Sequence, residues 1–243
     1  MPDLRTPRCG TRDQRHERAS PHSGMRERRC GRFAARGRLV PVIGDVAKDY
    51  LHSELRELRD VMVWKLDGLG EYDMRRPLTS TGTNLLGLVK HLSIWESRYF
   101  GDVFARPFPE PLARWDDTGE RGTDLWVTEH ETREEIIDRY RRVGAHSDAT
   151  ITALAIEAPG HVPWWPRPKV TLFNILIHML TETSRHAGHA DILREQLDGS
   201  TGTAAEYVQP RRDTSRQETR RATIEEAARR AANLERHRQR DGR

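Results

Sequence analysis

Glu182 and His186 stand one helical turn apart, so on a helix both side chains project from the same face. With about 100° per residue, Leu172, Ile175, Leu176, Met179, Leu193 and Leu197 gather round one direction of such a helix. His186 falls near the centre of that apolar stripe, Glu182 about 60° to one side, His189 about 80° and His178 about 100°. A carboxylate bordering an apolar stripe costs several kcal/mol unless it is paired or ligates a metal. A third ligand has to come from a facing helix. His91, one turn before Trp95 and about 80° from the centre of its own stripe, is placed to supply it. Two imidazoles and a carboxylate suit a divalent cation. The plain alternative is a hydrogen-bonded polar core in which Glu182 pairs with Arg185 or His186 and no ion takes part.

Other chemistries find less support. Ser184 has no base in a nucleophile arrangement, and Thr79-Ser80-Thr81-Gly82-Thr83 lacks the lysine of a phosphate-binding loop. Trp64, Trp95, Trp126, Trp164 and Trp165 read first as core residues, although packing explains two adjacent indoles in a loop poorly.

Four amphipathic segments must hold the candidate ligands in place. The first carries Leu51, Leu55, Leu58, Met62, Leu66 and Leu69 at three- and four-residue steps and stops at Gly68 and Gly70. A second, capped at Thr83, carries Leu85, Leu88, Leu92, Trp95 and Tyr99 and ends near Gly101. Pro107, Pro109 and Pro111 mark a loop. A capping box from Thr132 to Glu135 opens the third, with Ile136, Tyr140, Val143, Ile151 and Leu154 inward and a kink expected at Gly144. After a loop from Pro159 to Pro168, the fourth runs from about Thr171 to Leu197 and stops at Gly199. With no convincing strand pattern, this predicts an all-α, antiparallel four-helix bundle with long loops, some crossing the bundle end. A last stretch from Thr223 has a mostly alanine face and reads as a marginal helix.

Charge divides the chain. Residues 1–44 hold 11 Arg against 4 acids, and residues 201–243 another 11 Arg against 7. The stretch between them, 45–200, is therefore net acidic although the whole chain is +4. The expected organisation is a disordered Arg-rich extension over 1–44, the bundle over 45–200, and a charged tail with a short helix over 201–243. An acidic bundle argues against specific nucleic-acid binding. The extension lacks the apolar core of a secretory signal, and no run suits a membrane helix. Cys9 and Cys30 form neither a disulfide framework nor a zinc motif, so the expected compartment is cytoplasmic. Only four basic residues are lysines, Lys48, Lys65, Lys90 and Lys169, an arginine excess that fits a GC-rich genome.

Four blocks carry a family resemblance. TGTNLLGLVKHL (Thr81 to Leu92) resembles the second helix of the DinB-like, damage-inducible superfamily, and ETSRHAGHADILRE (Glu182 to Glu195) its fourth. With YFGDVF (Tyr99 to Phe104) and Trp164-Trp165-Pro166, the match over about 45–200 resembles the actinobacterial mycothiol transferase branch. The resemblance implies a four-helix bundle holding a divalent metal, zinc or nickel, through three side chains that in most members are histidines. His91 and His186 match two of those positions, and Glu182 takes the third, as in the thiol-transferring branch. A carboxylate is a harder ligand than imidazole, so the metal stays open, with zinc first and nickel second.

The implied activity is an S-transferase joining mycothiol, or a similar small thiol, to an electrophile. His189 would relay protons or orient the thiol, with a plain surface role as its alternative. Trp95, Trp164 and Trp165 would wall the pocket, and Arg185 and Asn84 would meet polar sugar groups of the thiol. A homodimer is admissible. The rival expectation is a non-enzymatic stress-response or metal-binding module of the same fold.

Overall fold

The computed structural model describes residues 43–112, 122–204 and 214–241. The expected extension, with Cys9 and Cys30, lies outside them apart from its last two residues. Four long helices dominate: α1 (Ile43–Trp64), α3 (Leu85–Phe100), α4 (Arg133–Ala153) and α5 (Leu172–Asp198). A short α2 (Glu71–Arg75) sits between the first two, and α6 (Thr214–Asp241) follows the bundle. No helix among the described residues is long and apolar enough to cross a membrane.

Apolar periodicity places the core in two clusters, one at each end of the bundle. One gathers Met62, Leu66, Leu88, Leu92, Ile136, Tyr140, Ala187 and Leu193. The other gathers Leu55, Phe100, Ile151, Leu172, Ile175, Leu176 and Met179. The order in which each helix visits the clusters gives its direction. Helices α1 and α5 run one way and α3 and α4 the other, with α5 packed against both α1 and α3. Because α3 and α4 are parallel, the chain between them must return along the length of the bundle, which is why that connection is long.

Between the clusters lies a charged layer. Arg59 of α1 meets Glu96 of α3 at 2.8 Å, and Glu96 is fully buried. Arg59 also donates to Asp148 of α4 at 2.6 Å, and His52 lies 2.8 Å from the same carboxylate. Burial disfavours the Arg59 charge, but Glu96 and Asp148 outweigh it and hold the guanidinium ionised. Gly144 faces this layer within α4, which is one helix from Arg133 to Ala153; its bare backbone leaves room for the Arg59 side chain.

Several local expectations need correction. The cap of α3 is Asn84 and not Thr83: the Asn84 side chain accepts from the backbone N–H of Gly87 at 2.8 Å. Helix α1 ends at Trp64, and Leu66 and Leu69 reach the core from the turn beyond it. The expected loop from Pro159 holds a two-stranded antiparallel ribbon, β1 (Pro159–His161) against β2 (Lys169–Thr171). Three-residue strands are too short to show a period of two. The last helix is 28 residues long where a short one was expected, and its side chains, where described, are exposed throughout. The capping box at Thr132 and Glu135 is present as expected, and a second one, Thr171 with Asn174, opens α5.

Candidate metal centre

Helices α3 and α5 are antiparallel neighbours, and their facing turns bring His91, Glu182 and His186 together. One ligand atom from each lies within 4.8 Å of the others. Glu182 Oε1 is 3.1 Å from His186 Nε2 and 3.7 Å from His91 Nε2. Ligands bonded at ~2.1 Å in a tetrahedral shell sit roughly 3.4 Å apart, so these separations bracket what a small divalent ion requires. Among the described residues Glu182 pairs with no lysine or arginine, so of the expected alternative the Arg185 pair is absent, while the pairing with His186 is present. The donor set therefore fits a divalent cation on the chemistry of its atoms.

The connection returning from α3 to α4 supplies a residue that sequence reasoning missed. Asp124, in a 3₁₀ turn over Thr123–Leu125, is buried, and its Oδ2 lies 2.7 Å from His91 Nδ1. Trp95 Nε1 donates to the same oxygen at 3.0 Å. An ionised carboxylate only accepts, so His91 keeps a ring proton on Nδ1, and Nε2, which faces Glu182, is the nitrogen left for a proton or an ion. That is the arrangement by which an outer carboxylate fixes a metal-binding imidazole.

Three residues of α3 seat this turn. A Cβ at Gly87 would lie 2.0 Å from the Leu125 carbonyl oxygen, so only glycine allows the turn to approach the helix this closely. Asn84 Nδ2 donates to the same carbonyl at 3.3 Å, and Lys90 donates to Trp126 O at 3.0 Å and to Glu131 at 2.9 Å. Nothing in the local sequence of Asp124 marks it, because its partner is 33 positions away. The available signal was a buried-type glycine one turn before a candidate ligand.

Electrostatics in the triad are mutual. The hydrogen bond with His186 and then the nearby His91 imidazole hold the Glu182 carboxyl far below the usual carboxylate range, against the opposing effect of partial burial. Burial pushes the His91 imidazole down, but Asp124 and Glu182 outweigh it, so its pKa is raised. Burial likewise opposes ionisation of Asp124, and the His91 partnership prevails and lowers its pKa.

The triad opens on a cleft of about 460 Å³ lined by His91, Trp95, Tyr99, Asp124, His178 and Glu182 among others. His178, one turn before Glu182, lies against Tyr99 and Trp165 with ring centroids 4.6 and 4.8 Å apart. Its burial lowers its pKa, which keeps the imidazole neutral. Tyr99 was expected only as core; its hydroxyl accepts from the indoles of Trp164 at 3.4 Å and Trp165 at 3.2 Å, which explains the adjacent pair.

The other expected site residues divide. Trp95 lines the metal-side cleft, whereas Trp164 lines a neighbouring one and Trp165 packs on the core cluster around Met179. His189 Nδ1 is 3.4 Å from His186 Nδ1, beside a ligand but outside the cleft lining. Arg185 is exposed and lines no cleft described here, and Asn84 is buried in its capping role. Trp126 is half exposed rather than core.

The family model described as mycothiol-S-transferase matches residues 50–199, the stretch that holds every residue of this site. A search of the curated proteins finds no match.

Proposed function

We propose for this chain, which belongs to the mycothiol S-transferase family, a metal-dependent transfer of mycothiol to an electrophilic substrate. The observation that carries this reading is the convergence of His91, Glu182 and the buried His186 beside an open cleft that His91 and Glu182 line. Three protein ligands leave a coordination position for substrate, the mark of a catalytic rather than a structural site. A divalent ion bound there, zinc before nickel, would stabilise a thiolate and so let a thiol lose its proton at neutral pH.

The chain's own residues set up the rest. Asp124 fixes the His91 tautomer, and His189, against the far nitrogen of His186, orients the second imidazole. Trp95 and Tyr99 narrow the cleft and exclude water from the sulfur. The neutral His178 offers a nitrogen to the thiol proton as the thiol enters. In the transfer a C–S bond forms, and either a leaving group departs with its electron pair or the proton returns to the carbon beside the new bond. Arginine-rich composition, two cysteines without the spacing of a disulfide framework and a thiol substrate support a cytoplasmic setting in an actinobacterial cell, in a detoxifying or stress-related role.

The test is conjugation of mycothiol across a panel of electrophiles, with bound metal measured in parallel. Turnover that disappears in Glu182→Ala supports the transferase. Stoichiometric metal with no turnover on any electrophile would leave a metal-binding module.

A further inference from the structure

A second cleft, of about 800 Å³, lies apart from the one at the triad. Its base forms where β1 crosses the 3₁₀ turn Asp102–Phe104. A Cβ at Gly160 would lie 2.8 Å from Val103 and 2.9 Å from the Phe104 ring, so the ribbon sits on this turn through bare backbone. Phe104, Pro163 and Trp164 give it apolar walls, and Arg98, His161 and Lys169 give it cationic or hydrogen-donating ones against one carboxylate, Asp102. A pocket of this size and mixed lining suits a small organic molecule.

Its charge runs against that of the surrounding sequence. Residues 45–200 are net acidic, yet the one histidine and the one lysine of this ribbon face one mouth: His161 and Lys169 are direct cross-strand partners, so their side chains share one face. Neither side chain has a hydrogen bond or ion pair among the described residues. Placing a lysine directly opposite a histidine gives the ribbon no opposite-charge pair. It does create a two-point donor for an oxyanion. Arg98, whose guanidinium lies 4.2 Å from the Trp164 ring and 5.0 Å from the Trp95 ring, adds positive potential at the inner end.

Trp164 connects this cleft to the metal centre. Two ring-to-ring steps of 6.2 Å each lead from His91 through Trp95 to Trp164. We propose that the cleft between the ribbon and the 3₁₀ turn binds the carboxylate end of an organic-acid electrophile, with His161 and Lys169 holding the anion and Trp164 and Phe104 holding its apolar body. Trp164 and Trp95 stand between the bound acid and the triad. That the bound acid serves as thiol acceptor rests on the transferase reading; that the cleft binds it does not.

The experiment titrates the full chain with trans-cinnamate and with its neutral analogue cinnamamide, read by calorimetry and tryptophan fluorescence. Cinnamate is expected to saturate and to bind about tenfold more tightly than the amide, with the difference shrinking at high salt. Lys169→Gln and His161→Gln are exposed substitutions that leave the fold intact, and together they are expected to abolish the preference for the acid. His186→Ala is expected to retain it, so failure of the metal chemistry and failure of this site read out separately. Equal affinity for acid and amide, a preference indifferent to Lys169 and His161, or displacement of cinnamate by myo-inositol would overturn the proposal.

Discussion

At the triad, protons and a divalent ion would compete for the same lone pairs. The raised pKa of His91 means that the metal-free imidazole keeps its proton to a higher pH than a free one. Metal affinity should therefore climb as pH rises past the free-histidine value of about 6.5 and level off only above the raised His91 pKa, as zinc competition titrations would record. The same groups give the metal-free fold the opposite profile. The lowered carboxyl of Glu182 stabilises the native state above the unfolded pKa of about 4.3 and loses that effect as pH falls further. The raised His91 stabilises it below about 6.5 and loses that effect as pH rises through the folded value. Chelated protein should accordingly gain most from the triad near pH 5 to 6, roughly between those unfolded values, and His91→Ala should flatten the profile of melting temperature against pH. Asp124→Asn keeps the shape but weakens the acceptor, and about 10–100-fold lower metal affinity is expected. At this scale His186 was legible, because a histidine at the centre of a leucine stripe stands out. Asp124 was not, because its role exists only once a distant turn is seated.

At the scale of elements, the return segment between α3 and α4 connects fold to site. Its 3₁₀ turn reaches His91 only because Gly87 presents bare backbone, so Gly87→Ala should lower metal affinity even though alanine favours a helix. Retained affinity in that variant would show that Asp124 is seated some other way. The long helices were legible from period and caps, and Thr132 with Glu135 read correctly because a capping box is local. The start of α3 was misplaced by one residue because Thr83 and Asn84 are both competent caps. The ribbon and the return segment were illegible because neither carries a repeating pattern. The charged layer was illegible too, since Arg59 and Glu96 look like surface residues until α1 and α3 face each other. Glu96→Ala leaves Arg59 buried without its main partner, and about 3–5 kcal/mol of destabilisation is expected in denaturant unfolding.

Over the whole molecule, the site draws on α3, α5 and the return segment, all within the matched residues 50–199. The exposed α6 touches none of it, so we expect a chain ending after residue 204 to keep its metal affinity and melting temperature. Because the ion binds only the assembled triad, it should stabilise the fold by about 2.7 kcal/mol at a hundredfold excess over its Kd. The central claim is that a thiol becomes a metal-held thiolate at His91, Glu182 and His186. The most direct measurement replaces the native ion with cobalt(II) and follows absorption while mycothiol is added. A sulfur-to-cobalt charge-transfer band that grows with mycothiol, and is missing in Glu182→Ala and His186→Ala, is the expected result. Cobalt that binds stoichiometrically but develops no such band at saturating mycothiol would contradict the account.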